Sequence, residues 1–123
     1  MIIGKLIETA VKLCYAAKRG TADGQIVPAE DGTARCMLVA GEAPDSGTEL
    51  AAGQMADVVE HDPTREWNFK LGGTVTEGDP LMPTTGGVWI TGTTGNYCGG
   101  IAHKSGVLGD VVPGFAKSFL FKT

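Results

Sequence analysis

Residues 72–102 read GGTVTEGDPLMPTTGGVWITGTTGNYCGGIA, and this stretch decides the class of fold. Nine of these 31 positions are glycine, out of 19 glycines in the whole chain of 123 residues. Glycine destabilises helices and supplies the backbone conformations of tight turns. The apolar runs between the glycines are short, which suits strands better than helices. The stretch therefore predicts a β structure with frequent chain reversals.

Outward from this stretch, short runs with β character recur along the chain. They are residues 25–27, 35–39, 56–59, 67–71, 88–91, 97–102, 110–112 and 118–121. Short strands at close spacing indicate a barrel or a sandwich, not an alternating β/α fold. A chain of 123 residues has the size of one domain. The sequence predicts a mainly β, compact, barrel-like or sandwich-like single domain with glycine-rich turns.

The N-terminal segment, residues 1–20, has a different pattern from the β domain assigned to residues 21–123. Apolar residues recur at helical spacing from Leu6 to Ala17. The run VKLCY at residues 11–15 would equally make a strand. The pattern leaves helix and strand open, and the segment is interpreted as an arm or a helix that contacts a partner.

A faint internal repeat divides the β domain into two related halves, residues 24–59 and 78–112. Each half begins with a short run from glycine to proline, and each ends with the triplet Asp-Val-Val, at residues 57–59 and 110–112. The repeat predicts two related β modules packed into one domain, too few for a solenoid.

The charge balance argues against two classes of partner. Fourteen acidic and ten basic residues give a net charge of -4, whereas nucleic-acid binding needs a basic face. No polybasic run is present for an anionic membrane surface, and no apolar run reaches the roughly 20 residues of a membrane span. We expect a soluble protein with no nucleic-acid and no membrane partner.

The cysteines do not form the pattern of a disulfide scaffold. There are three, Cys14, Cys36 and Cys98, and they lie far apart in the chain. Secreted disulfide proteins have an even number at close spacing. The pattern predicts free thiols in a protein made in a reducing compartment.

Residue patterns of catalytic and cofactor sites are missing from the sequence. Residues 99–105, GGIAHKS, have the Lys-Ser pair of a phosphate loop but a histidine where glycine must precede the lysine. His103 stands two residues before Ser105, without the third group and oxyanion pocket of a nucleophilic site. His61 and Asp62 lack the spacing of a metal site. The sequence predicts no catalytic residue, no cofactor, no metal and no enzymatic activity.

Exposed loops and large apolar side chains are instead the candidates for contact with a partner. Residues 61–67, HDPTREW, form the most polar and irregular stretch and are predicted to be an exposed loop. Tryptophan is either buried or an interface anchor. The apolar ends of the chain pack either within the subunit or against another chain. The candidate contacts are Ile2, Ile3, His61, Arg65, Trp67, Trp89, Phe115 and Phe119.

The second half of the chain resembles the small β proteins that decorate, or cement, phage capsids. The resemblance rests on residues 72–81, GGTVTEGDPL, on the glycine pairs and GIA run up to residue 102, and on residues 106–112, GVLGDVV. These are the family's G-x-V-x-x-G-D-x-L turn, its GIA strand and its G-D-x-V return. The resemblance is strongest over residues 70–115 and covers roughly residues 20–123.

The resemblance implies a role as well as a fold. Members of the family are not enzymes and bind no cofactor. They assemble as homotrimers on the exterior of the capsid, where each trimer bridges subunits of the major capsid protein and stabilises the shell. The protein would be made in the cytoplasm of the host bacterium, and residues 1–20 would be a capsid-contacting arm or helix. Two alternatives remain: another virion module, such as a head-completion or tail component, or a β barrel that binds a small molecule.

Overall fold

The computed structural model describes residues 2–122 and is built of twelve strands with two short 3-10 turns, at Ala43–Asp45 and Thr85–Gly87. The strands are β1 (Ile2–Ile7), β2 (Val11–Lys12), β3 (Ala16–Arg19), β4 (Gln25–Pro28), β5 (Cys36–Val39), β6 (Glu49–Leu50), β7 (Met55–Val59), β8 (His61–Lys70), β9 (Pro80–Pro83), β10 (Trp89–Thr91), β11 (Tyr97–Ala102) and β12 (Val111–Leu120). The prediction of a mainly β, compact single domain is confirmed.

The first half of the chain forms a closed barrel in the order β1-β4-β3-β5-β7. All neighbouring strands are antiparallel except β1 and β4, which run parallel. Because side chains alternate along a strand, every second residue points into the barrel. The barrel interior is filled by Ile7, Val11, Ala17, Ile26, Met37, Val39, Ala56 and Val58.

The second half forms a five-stranded antiparallel sheet in the order β10-β9-β11-β12-β8. Just beyond β8, Leu71 makes a parallel bridge to Trp89 of β10, and the N–H of Gly72 donates to the Trp89 carbonyl at 2.7 Å. The first and last strands of the sheet are therefore linked at this one bridge, whereas in the closed barrel the first and last strands pair along their length.

The two halves have the same topology. We number the five barrel strands (β1, β3, β4, β5, β7) and the five sheet strands (β8 to β12) from 1 to 5 in chain order. Around both halves the strands then follow the order 1-3-2-4-5, if the sheet is read from β8 through its contact with β10. In both halves the contact between strands 1 and 3 is the parallel one. The small β2–β6 pair of the first half has its counterpart in the bridge between Val75 and Gly106. Each of these pairs leads into a tight turn, with Cys14 at φ 71° in the first half and Gly78 at φ 92° in the second.

This duplication differs from the repeat seen in the sequence. The Asp-Val-Val triplet at residues 57–59 ends β7, whereas in the triplet at residues 110–112 the aspartate precedes β12 and the two valines begin it. The topological counterpart of β7 is β12, so the triplets fall at different points of equivalent strands. The relationship between the halves lies in their hydrogen-bonded pairing and turns, more than in matching side chains.

Strand β5 joins the two halves into one core. All four of its residues are buried, which alternation allows only where both faces of a strand are covered. Met37 and Val39 point into the barrel, while Cys36 and Leu38 point outward onto the sheet. The outward face packs against Trp67, Phe69, Leu71, Leu81, Trp89 and Val112.

The N-terminal segment, left open between helix and strand, is strand. Residues 2–19 contribute β1, β2 and β3, and two of these belong to the closed barrel. The apolar spacing that resembles a helix includes Val11, which is buried in β2, and Cys14, which is buried within the turn that follows it. Among the later strands, β6 and β9 were not predicted, because β6 has only two residues and β9 begins and ends with proline.

Candidate functional site

The segment predicted as an exposed loop, residues 61–67, is part of strand β8, so the prediction of a loop is wrong. Residues 63–66 are exposed, as expected. β8 is an edge strand, so Pro63 can lie in it without removing a hydrogen bond of the ladder. The polar composition reflects an edge strand open to solvent.

A large bulge interrupts the pairing of β8 with β12. The two strands pair on both sides of it, at Trp67↔Gly114 and at Asp62↔Ala116. Residues 63–66 therefore lie opposite a single residue, Phe115, and we call these four residues the bulge. Bulges at sheet edges redirect side chains and end regular pairing.

The start of the bulge is held by Asp62. Its carboxylate accepts the backbone N–H of Thr64 at 3.0 Å and also accepts the Thr64 hydroxyl. Both bonds favour the charged carboxylate, so they hold the pKa of Asp62 below its ordinary value. The Asp-x-Thr sequence therefore forms a local turn that fixes the residue at which β8 stops pairing with β12.

Beside the bulge is a groove of about 260 Å³ at the junction of the barrel and the sheet. Three of the predicted contact residues line it: Ile2, Arg65 and Trp67. The acidic residues Glu42 and Asp57 line it as well, so the groove combines an apolar wall with charges of both signs. The structure brings together residues from β1, β7 and β8 here.

Arg65 and Trp67 form the centre of this surface. The Arg65 guanidinium carbon lies 4.2 Å from the centroid of the Trp67 ring, which is the geometry of a cation–π contact. Trp67 is 5% exposed, and its Nε1 is buried with no hydrogen-bond partner among residues 2–122. An unpaired buried donor costs about 1–3 kcal/mol, so native proteins rarely keep one without a reason.

Phe115 adds an aromatic ring next to the bulge. It is 38% exposed and packs edge-on against His103, with ring centroids 4.1 Å apart. His103 Nδ1 lies 2.6 Å from the carboxylate of Glu66, which belongs to the bulge. The histidine thus connects the bulge to the ring opposite it, and the three side chains form one continuous surface.

The other predicted contacts lie elsewhere. Ile3 is half-buried against the barrel interior, and Phe119 is half-buried with the Lys117 ammonium 5.3 Å from its ring. His61 is exposed at the start of β8. The prediction that Trp89 contacts a partner is wrong, because its side chain is 0% exposed and its indole N–H donates to the Cys14 carbonyl at 3.1 Å. Trp89 is a core residue that ties the sheet to the barrel.

Sequence reasoning missed Glu66 and His103 as members of this surface. They are 37 residues apart, and only the pairing of β8, β12 and β11 brings them together. Asn68 was missed too; its side-chain amide donates to the Gly41 carbonyl at 3.0 Å and closes one side of the groove. No local motif marks these residues.

The side chains that could bind a metal are not clustered among the described residues, and the cysteine thiols are buried. No group of three or more His, Cys, Asp or Glu side chains within residues 2–122 is arranged to hold a metal ion. Cys14, Cys36 and Cys98 are free and buried, and burial raises the pKa of their thiols to about 11, 12 and 11. Thiols of this kind are poor nucleophiles near neutral pH. None of the helices in the described part of the chain is long and apolar enough to cross a membrane.

Among solved structures, the chain is similar in fold to the N base of the head fiber gp8.5 in bacteriophage phi29. The TM-score is 0.64, the identity is 17%, and the alignment covers 98% of each chain. No protein-family model matches the chain, and no curated protein matches it significantly. At this level of identity the likeness shows a common fold.

Proposed function

We propose that this chain is a non-enzymatic structural protein of a phage virion, which binds the exterior of the head through the major capsid protein. In this role it would act as a homotrimer that bridges neighbouring capsid subunits and stabilises the shell. It would be made in the cytoplasm of the host bacterium and needs no cofactor.

The observation that carries the proposal is the extent of the fold likeness. It covers 98% of both chains, so it includes both halves and the way they are joined, and the matched protein is the base of a phage head fiber. The sequence of residues 70–115 also resembles that of capsid decoration proteins. Two independent kinds of likeness therefore favour attachment to a phage head.

The surface around the groove supports a binding role. Interface anchors are enriched in tryptophan, arginine and other aromatic residues, and here Arg65, Trp67 and Phe115 lie on or beside one bulge. Bulged edge strands cannot easily pair with further strands, so this surface would bind by side-chain contacts. We assign the groove and the bulge as the face that contacts the capsid protein.

The physical logic of such a protein requires no reaction. A shell gains stability when many modest contacts must break together, because linked binding sites act at high effective concentration. A trimer has three copies of the same surface and can bridge several subunits at once.

Binding to heads tests the proposal directly. Heads from phage that lack this protein should bind the purified chain saturably and should then resist heating better. The double variant Arg65→Glu with Phe115→Ala should bind at least ten times more weakly, and Lys122→Glu, an exposed charge change outside the groove, should bind normally. Absence of binding by the wild-type chain contradicts the proposal.

Two further measurements test the trimer and the position of the protein on the particle. Light scattering after size-exclusion chromatography should give three times the chain mass of 12.7 kDa if the trimer forms before attachment. Copy number on the particle separates a decoration protein from a neck or tail component. Hundreds of copies support decoration, and a handful would contradict it.

A further inference from the structure

At one end of the barrel lies a cleft of about 320 Å³, separate from the groove. Its charged walls are Lys5, Arg19, Arg35 and Glu60, and its apolar floor includes Ile26 and Met37. We call this cleft the barrel mouth. Three cations and one anion converge here in a chain whose net charge is -4.

The pleat of the strands explains why these charges are together. Lys5 precedes the inward residue Ile7 by two positions, and Arg35 precedes the inward Met37 by two. Residues two apart on a strand share a face, so both cations have the inward register. Arg35 lies one step beyond the packed interior, whereas Lys5 lies between Ile3 and Ile7, which both pack against that interior.

The same relation holds for the two other charges of the mouth. Arg19 follows the inward Ala17 by two positions, and Glu60 follows the inward Val58 by two. The charges of the mouth therefore come from β1, from β3, from the residue before β5 and from the residue after β7, with β4 contributing Ile26 to the floor. A slip of one residue in any strand would turn its charge outward.

The cations of the mouth are poorly neutralised within the molecule. Within residues 2–122, neither Lys5 nor Arg35 has a carboxylate within 4.0 Å. Arg19 reaches Asp23 only at 4.0 Å, with both side chains exposed, and such pairs are weak. Folding thus gathers like charges that an anion would neutralise.

We propose that the barrel mouth binds carboxylate side chains of an acidic peptide segment on a partner protein. Two guanidinium groups flanking a small cleft suit the two oxygens of a carboxylate, which arginine binds in a bidentate manner. The apolar floor suits the methylene groups of a glutamate side chain. The net charge of -4 and the presence of Glu60 oppose a long polyphosphate chain.

A hexaglutamate peptide is the probe for this site. Calorimetry at low salt should show saturable binding to the wild-type protein, weakened at least tenfold between 0.05 and 0.5 M NaCl. The double variant Arg19→Gln with Arg35→Gln should lose at least tenfold in affinity. Lys122→Gln removes an exposed cation outside the mouth and should bind like wild type.

Four outcomes overturn the inference: no binding by the wild-type protein, binding unaffected by the double variant, equal affinity for inorganic phosphate, or tighter binding of a single-stranded oligonucleotide. Lys5→Gln gives a second, single substitution if the double variant does not fold. The measurement uses no capsids, so its failure would leave the proposed virion role standing, and failure of head binding would leave this site standing.

Discussion

At the scale of single residues, the two tryptophans show how similar burial can have different consequences. Trp89 donates its indole N–H to the Cys14 carbonyl at 3.1 Å, whereas the Trp67 Nε1 is buried without a partner in the described part of the chain. A satisfied buried donor stabilises the fold, and an unsatisfied one destabilises it. The difference makes a matched pair of substitutions informative.

We expect Trp89→Phe to lower the free energy of unfolding more than Trp67→Phe does, by about 1–3 kcal/mol. Both changes remove part of an indole from the core, so the loss of packing is similar. Only Trp89→Phe also breaks a hydrogen bond, while Trp67→Phe relieves an unpaired N–H. Urea unfolding of the two variants measures the difference, and equal midpoints would contradict this account.

The thiols provide a second residue-scale prediction. Burial raises the pKa of Cys14 and Cys98 to about 11 from an ordinary value of 9.0, which lowers their thiolate fraction at pH 8 roughly 100-fold. We expect a thiol reagent at pH 8 to label the native protein at least 100 times more slowly than the urea-unfolded chain.

The same shifts set a pH dependence on the alkaline side. A thiol with a raised pKa stays protonated in the folded state after it has ionised in the unfolded chain, so stability is full below pH 9 and falls as the pH rises toward 11. Replacing all three cysteines with alanine should remove this alkaline loss. Rapid labelling of the native protein would show that the thiols are not enclosed as described.

At the scale of elements, the bulge in β8 depends on a charged carboxylate. The Thr64 hydroxyl and N–H hold the pKa of Asp62 below its ordinary value of 3.8. A lowered pKa stabilises the folded state above the ordinary value, and that contribution is lost as the pH falls through the folded pKa. The bulge should therefore loosen only in strong acid.

We expect the Asp62 carboxyl carbon, followed by NMR, to titrate below pH 3.8 in the wild-type protein and closer to 3.8 in Thr64→Val. The control is Thr33→Val, which removes the equivalent bond to Asp31 at another turn and should leave Asp62 unchanged. Titration of Asp62 above its ordinary value in the wild-type protein would show that the Asp-x-Thr device is not formed.

Elements also show what the sequence could and could not predict. Strands β5, β7 and β11 were predicted within a residue because apolar runs between turns determine them. The bulge was predicted as a loop, since Pro63 and its polar neighbours have no local sign of an edge strand. Trp89 could not be distinguished from an interface anchor, because burial depends on the barrel packed against it. The barrel mouth was not predicted because its charges come from four segments that are far apart in the sequence.

At the scale of the whole molecule, the chain is a duplicated topology with a single shared core. Both halves run 1-3-2-4-5, yet their equivalent turns carry different residues, Cys14 in one and Gly78 in the other. Local backbone pairing repeats, whereas the outward face of β5 is specialised to cover the sheet. A tandem of independent barrels would not need Cys36 and Leu38 to be buried on that face.

The shared core predicts that neither half is stable alone. A chain ending at residue 60 would retain every barrel strand but expose Cys36, Leu38 and Val59, which are 0% exposed in the whole protein. Burying side chains of this size contributes about 1.5–3 kcal/mol each, a large fraction of the stability of a small domain. We expect the amide proton resonances of this fragment to be poorly dispersed, as in an unfolded chain.

The full chain should unfold in a single transition, with the same midpoint by tryptophan fluorescence and by far-ultraviolet circular dichroism. Because Trp67 and Trp89 both belong to the second half, two separate transitions would reveal an independently stable barrel and contradict the single core.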